Sequence, residues 1–214
     1  MFPHVRVSGD ARTRGRQYGE QAAERVRRSI EAYATVFDYY AHWAWPTVTD
    51  QALRYVEPIG TYHQGYLQEM EGIAEGAGVP FTDVLAINVR TEVMFAAKAR
   101  DANVTLPHVG ECSAFVAIPD DDRPVLAGQN WDWLTHAFDT TVVLEAIQDD
   151  GPRFVTAVEA GLLAKAGFNE FGLGVGTNAL VSGMDAGFPG VPYHVLLRAM
   201  LDARNPTEAL VALQ

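Results

Sequence analysis

The chain contains only one cysteine, Cys112, among its 214 residues. A single thiol cannot form a disulfide within the chain, and four zinc ligands are not grouped around it. Long apolar runs are also missing, since no stretch approaches the roughly 20 residues needed to cross a bilayer. The first six residues lack the apolar core of a secretory signal. We therefore expect a cytoplasmic protein without a membrane partner.

Positive charge is scarce as well. The chain has 16 Lys and Arg against 27 Asp and Glu, which gives a formal net charge of −11. Because phosphate binding needs clustered cations, this balance argues against a nucleic-acid partner. The locally basic stretch 12–28 is interleaved with Glu20 and Glu24, and we interpret it as a solvated helix face. The acidic clusters at 119–122 and 149–152 are interpreted as hairpin turns rather than metal sites.

The two halves of the chain carry different periodicities. Helices are predicted over 14–45, capped near Asp10 and stopped by Pro46, over about 50–77 with a break near 58–60, and over about 82–97. Strands are predicted at 112–118, 125–131, 140–147, 154–158 and 173–178, followed by helices at 192–203 and from 207. Helices followed by hairpin strands predict an α+β fold. A five-stranded sheet covered on one face would need a second layer, so we expect the fold to be incomplete in this chain.

Cys112 opens the first β-rich run, which we expect to be a buried apolar strand. Its thiol is either an inert buried group or a nucleophile. A free thiol has a pKa of about 8.5, so some thiolate forms without help. The nearest histidines in sequence, His108 and His136, lack a recognisable catalytic context and are expected in turns or at the surface.

A different base would arise if the Glu111–Cys112 bond were cut. Cys112 would then carry its own α-amino group, whose ordinary pKa is about 7.7–8.0. That amine would be held beside the nucleophile and would suit proton transfer near neutrality. The Cys112 sulfur could make the cut itself by attacking the Glu111 carbonyl, which gives a thioester that water hydrolyses.

Several segments carry a family resemblance. They are Glu-Cys-Ser-Ala-Phe at 111–115, Gly-Gln-Asn-Trp-Asp-Trp at 128–133 and the glycine-rich 167–178, supported by 66–78, 83–88 and 190–194. In this order they resemble the penicillin acyltransferase (isopenicillin N acyltransferase) family, with the choloylglycine hydrolases as more distant relatives. The resemblance implies an N-terminal-nucleophile (Ntn) hydrolase with an αββα sandwich. Residues 1–111 would form a helical segment and 112–214 the first part of the sandwich, intertwined in one domain.

The resemblance also implies catalytic roles. Cys112 matches the nucleophile, and Glu111–Cys112 matches the bond that is processed. Asp132 matches an acid that orients the new α-amino group, although a turn carboxylate is an alternative interpretation. Asn178 matches a position that lines the oxyanion site, and a plain strand-end asparagine fits the sequence almost as well.

Further candidates to line the site surround these residues. Gln129 stands where the bile-salt hydrolases have an arginine, which leaves its own role open. Asn130 could hydrogen-bond around the site or satisfy a strand end. Trp131 and Trp133 could wall an apolar acyl pocket or belong to the core.

The expected function is therefore a self-cleaved cysteine amidohydrolase or acyltransferase. It would act on a small-molecule amide or acyl-thioester substrate through an acyl-Cys112 intermediate, without a metal or organic cofactor, and could assemble as a homo-oligomer. Family members continue beyond the matched region and supply a further oxyanion asparagine, so we expect this chain to be truncated. The alternatives are a non-catalytic paralogue that serves as a binding scaffold and a thiol redox sensor, although a resolving cysteine is missing.

Overall fold

The computed structural model describes residues 1–101, 104, 112–178 and 189–214. The helices are α1 Ala11–Ala41, α2 Trp45–Ala52, α3 Val56–Ala77, α4 Phe81–Asn88, α5 Arg90–Arg100, α6 Ala137–Thr140, α7 Tyr193–Asp202 and α8 Pro206–Val211, with a 3-10 turn at Leu53–Tyr55. The strands are β1 His4–Gly9, β2 Ser113–Ala117, β3 Leu126–Asn130, β4 Thr141–Gln148, β5 Phe154–Glu159, β6 Ala166–Asn169 and β7 Gly174–Val175. In these ranges, every helix is too short or too polar to cross a bilayer.

The described strands form two separate sheets. One has five strands in the order β1-β4-β5-β6-β7, and the other is the β2-β3 pair. β1 runs parallel to β4, whereas the other pairs are antiparallel. The acidic clusters at 119–122 and 149–152 lie between antiparallel partners, as predicted. Helices and a mixed sheet together confirm the predicted α+β class.

Helices α1 and α3 pack with their backbones in direct contact. Glycines spaced four residues apart make this possible, Gly15 and Gly19 on α1 and Gly72 and Gly76 on α3. A Cβ atom at Gly72 would lie 2.2 Å from the Arg12 carbonyl oxygen. The helix pair therefore needs residues without side chains at this crossing.

The hydrophobic core lies between the helices and one face of the larger sheet. Phe154, Thr156 and Val158 alternate along β5 as its buried side chains. On the opposite face Val155 pairs with Phe168, which is 60% exposed. The alternation has the period of two expected for a sheet covered on one side.

The β2 strand differs from its prediction. The apolar run 112–118 was expected to be buried, but β2 is exposed along its whole length, with Phe115 at 61% and Val116 at 66%. The physical reason is that β2 pairs only with β3 among the described residues, and no helix there covers the pair. Hydrophobicity alone predicted burial, whereas burial requires a second layer.

Other predicted boundaries also shift. Pro46 lies in the first turn of α2, where its missing N–H costs nothing, instead of only ending α1. The irregular residue in α3 is His63 and not the predicted segment 58–60. The helix predicted over 82–97 is interrupted at Val89, and the strands β1 and β6 were not predicted. Asp10 caps α1 as expected, since its carboxylate accepts the Thr13 N–H at 2.8 Å.

Candidate functional site

The β2–β3 hairpin brings the two predicted motifs together. Its register pairs Ser113 with Asn130, and the Asn130 amide donates to the Ser113 hydroxyl at 3.3 Å. The next residues, Cys112 before β2 and Trp131 after β3, therefore lie at the same end of the hairpin. This contact is compatible with both interpretations of Asn130, since its amide bonds at the end of the strand pair and one residue away from the thiol.

The thiol of Cys112 contacts the main chain of Asp132. The Sγ atom lies 3.7 Å from the Asp132 carbonyl oxygen, within range of an S–H hydrogen bond. Cys112 is partly exposed, unlike a thiol sealed in the core. Asp132 itself is exposed. Two predicted catalytic residues thus meet, through the backbone carbonyl of Asp132 and not through its carboxylate.

An amine lies beside the same short segment. The rings of Trp131 and Trp133 stack with centroids 6.4 Å apart and planes at 22°. Lys165 Nζ lies 3.4 Å from the Trp131 ring centroid and 5.0 Å from that of Trp133. This places a buried cation, 7% exposed, over the faces of two aromatic rings. Asp132 lies between these two tryptophans in the sequence. The Lys165 amine, over the tryptophan rings, and the Cys112 thiol, against the Asp132 carbonyl, therefore both contact the segment 131–133.

The lysine belongs to a buried charge cluster centred on Glu159. This carboxylate accepts hydrogen bonds from Arg90 Nη2 at 2.7 Å and from the Tyr33 hydroxyl at 2.5 Å. His136 Nε2 lies 3.4 Å from one carboxylate oxygen, and Lys165 Nζ lies 3.9 Å from the other. One fully buried anion therefore faces two side chains that are ordinarily cationic.

The pKa values of Glu159 and Lys165 are shifted because this one carboxylate faces two ordinarily cationic side chains in a buried environment. Burial acts to raise the pKa of Glu159, but Arg90, His136 and Lys165 outweigh it and lower the pKa to about 2. For Lys165, burial is the largest influence and lowers the pKa to about 7, with Glu159 and Cys112 opposing it and Arg90 adding to it. The Lys165 side chain is therefore present both as amine and as ammonium near neutral pH.

His194 on α7 faces the same cluster. It is 1% exposed, and neither ring nitrogen has a hydrogen-bond partner in the described part of the chain. Burial lowers its pKa well below the usual value, and repulsion from Arg90 and Lys165 acts in the same direction. The imidazole is thus neutral at pH 7. Its neighbour Tyr193 has its pKa raised to about 12, mainly by burial.

Gln129, on β3, forms two hydrogen bonds with the segment that follows β7. Its side-chain amide donates to the Thr177 carbonyl and accepts the Thr177 N–H, the latter at 2.9 Å. Asn178, the next residue, is exposed. The structure therefore gives Gln129 a positioning contact, and this contact holds the segment that carries Asn178 against the hairpin.

The tryptophans also line a surface groove. It encloses about 210 Å³ and is bordered by Phe2, Trp131, Trp133, Leu134, Thr135, Ala137, Phe138 and Thr141. Trp133 also donates its indole N–H to the Tyr33 hydroxyl at 2.9 Å. The tryptophan rings thus pack inward and also border a mostly apolar groove, and the role of this groove in holding an acyl chain stays a prediction.

Some predicted residues cannot be placed, and others were not predicted. Glu111 and His108 lie outside the described residues. His136 lies in a turn, as expected, and its side chain, 19% exposed, lies against the Glu159 carboxylate. A lone lysine inside the apolar run 160–166 was the available signal for Lys165, because a lysine there must be buried and needs a partner. In the described ranges, no group of three or more His, Cys, Asp or Glu is arranged to hold a metal ion.

No family model matches the chain. The chain is 29% identical over 209 residues to "Acyl-coenzyme A:6-aminopenicillanic-acid-acyltransferase 40 kDa form" of Emericella nidulans, an alignment that covers 96% of this chain. The chain spans about half of that relative, 55% of its length. The resemblance that the motifs predicted is thereby confirmed: over nearly all of its length, this chain is similar to an acyl-coenzyme A:6-aminopenicillanic-acid-acyltransferase.

Proposed function

We propose that this chain carries the nucleophile of a self-cleaving cysteine acyltransferase or amidohydrolase with the Ntn-hydrolase αββα fold. Cys112 would cut the Glu111–Cys112 bond and then form an acyl-Cys112 intermediate with a small-molecule amide or acyl-thioester substrate. Residues 1–111 and 112–214 would stay together after the cut, an idea supported by the β1–β4 pairing that joins them. The observation that carries the proposal is the partly exposed Cys112 thiol against Asp132, in a chain similar to a named acyltransferase.

The chemistry needs a nucleophile, a proton acceptor and donors for the developing oxyanion. Cys112 supplies the sulfur, and after cleavage its own α-amine serves as the acceptor. The Asp132 segment would orient that amine, while Asn178 would face the oxyanion from the segment that Gln129 holds. The acyl chain would lie along the groove beside Trp131, whose lining is mostly apolar.

The cleavage is tested by intact mass spectrometry of the purified protein. We expect two fragments from the wild type, the second beginning at Cys112, and a single chain from Cys112→Ala. The matched control is Ser113→Ala, one residue further along, which should still be cut because its hydroxyl is not the nucleophile. Two fragments from Cys112→Ala would mean that an outside protease makes the cut.

Acyl transfer is tested on the cleaved protein with short acyl-thioesters and amides. A mass increase equal to the acyl group on the peptide that starts at Cys112 is the expected result. An uncut wild-type chain whose thiol does not react with iodoacetamide would overturn the proposal and favour a binding scaffold of the same family.

A further inference from the structure

The first cut requires a proton acceptor other than the α-amine. Before cleavage the nitrogen of Cys112 is part of the Glu111–Cys112 amide, and an amide nitrogen is not basic. The amine that serves later turnover therefore does not exist when the thiol must first lose its proton. A free thiol in general, with a pKa of about 8.5, is only a few per cent thiolate at neutral pH, so a neighbouring proton acceptor speeds its attack.

Lys165 is the candidate for this missing proton acceptor. Its Nζ lies over Trp131 and Trp133, at 3.4 and 5.0 Å from the ring centroids, and the residue between them accepts the Cys112 S–H through its carbonyl at 3.7 Å. Lys165 is 7% exposed, so the amine is held by packing on these rings and not by solvent. The amine and the thiol thus each contact the same three-residue segment, 131–133.

The surroundings of Lys165 favour its neutral form. Glu159 is 3.9 Å away but is already paired with Arg90 at 2.7 Å, and an arginine does not release its proton in proteins. His194 on α7 contributes no charge to these surroundings, because it is buried and its pKa is lowered well below the usual value. Among the described residues, Lys165 is therefore a surplus cation of the cluster, and the negative charges that favour its ammonium form are those of Glu159 and of a Cys112 thiolate. Its pKa of about 7 agrees with this count of charges.

We propose that Lys165 accepts the Cys112 thiol proton, directly or through one water, during cleavage of the Glu111–Cys112 bond. The inference rests on the self-cleavage proposed above. The S–H bond breaks and its proton moves to Nζ, while sulfur bonds to the Glu111 carbonyl carbon. The C–N bond then breaks, and the new α-amine takes the proton back from Nζ. Water hydrolyses the thioester, with its hydroxyl going to the carbonyl carbon and its proton to sulfur. Lys165 ends the sequence as the neutral amine with which it began.

The test is the rate of cleavage as a function of pH. The protein is made in a timed cell-free reaction, transferred to buffers from pH 5.5 to 9, quenched in acid at intervals and measured by intact mass spectrometry. For the wild type we expect the rate to rise about tenfold per pH unit and to level off near pH 7. A wild-type profile that levels only near pH 8.5, the value of an unassisted thiol, would overturn the inference without any variant.

Two variants separate proton transfer from charge and packing. Lys165→Met should cut about 100-fold more slowly, in the range that a lost general base produces, and its profile should lack the inflection near pH 7. Lys165→Arg keeps a cation over the tryptophans but cannot release its proton, so it should be slow as well. A wild-type rate in Lys165→Arg would show that only the charge matters and would overturn the inference.

The controls distinguish this inference from the proposed function. Cys112→Ala should remain uncut throughout. If the wild type itself is not cut, self-cleavage fails and this inference fails with it. If the wild type is cut while both Lys165 variants keep its rate and pH profile, only the role of Lys165 is wrong.

Discussion

Replacing Glu159 by glutamine removes the one negative charge at the centre of the buried cluster. The side chain is completely buried and interacts with Arg90, Tyr33, His136 and Lys165. A pKa lowered from the ordinary 4.5 to about 2 corresponds to about 3 kcal/mol of stabilisation by the ionised form. This matches the cost of leaving a buried charge such as Arg90 without its partner, roughly 3–5 kcal/mol. We therefore expect Glu159→Gln to lower the free energy of unfolding by about 3 kcal/mol at pH 7.

The size of this loss should depend on pH in a defined direction. The pKa of Glu159 is lower in the folded than in the unfolded chain, so its contribution is complete above pH 4.5 and is lost as pH falls toward 2. At pH 3 the difference between wild type and variant should have shrunk to about 1 kcal/mol. Other carboxyl groups titrate in both proteins and cancel from the difference.

Urea denaturation followed by circular dichroism at pH 7 and pH 3 measures both quantities. The exposed Glu24, paired with Arg28 on α1, provides a control, and Glu24→Gln should change stability by less than about 1 kcal/mol. A second control is Glu69→Gln, since Glu69 is another buried carboxylate between two arginines, Arg14 and Arg198. We expect Glu69→Gln to lose about as much stability as Glu159→Gln. Once it is folded, Glu69→Gln should still cleave at the wild-type rate. A loss at Glu159 that equals the Glu24 control, or that stays constant down to pH 3, would refute the reasoning.

Two further predictions concern stability. Gly72→Ala places a Cβ 2.2 Å from the Arg12 carbonyl oxygen and should cost about 1–3 kcal/mol in urea denaturation. Gly174→Ala, where a Cβ would meet nothing within 4 Å, should change stability little, and equal effects at the two glycines would contradict the close packing of α1 on α3. His194 is buried with a pKa well below its unfolded value of 6.5, so the unfolded chain gains a proton below that pH and stability falls on acidification. His194→Leu should reduce the slope of the free energy of unfolding against pH, between pH 6.5 and 5, by up to about 1.4 kcal/mol per pH unit. An unchanged slope in the variant would show that the imidazole is not held neutral.

The sequence predicted those parts of the site that depend on local order. Cys112 precedes one strand of a hairpin and Asp132 follows the other, so the turn signal between them was enough to bring them together. The α+β class followed in the same way from the succession of periodicities. The charge cluster could not be predicted, because Arg90, Glu159 and Lys165 come from different elements and meet only through tertiary packing.

The exposure of β2 could not be predicted either. An apolar strand is compatible with a covered and with an open face, and the sequence of Phe115 and Val116 does not say which. Predicting burial from hydrophobicity assumed that a second layer is present. The same assumption worked for β5, whose buried face packs against the helices.

The hairpin that carries Cys112 is joined to the rest of the molecule by a few specific contacts near its thiol end. Gln129 bonds to Thr177, Lys165 lies over Trp131, and Trp133 donates to the Tyr33 hydroxyl. The last two contacts lead to Glu159, since Tyr33 donates to it and Lys165 lies 3.9 Å away. One carboxylate thus helps to fix the aromatic rings beside the thiol and also influences how readily the neighbouring lysine loses its proton. Position and proton affinity are therefore coupled at this site, because both depend on the same buried negative charge.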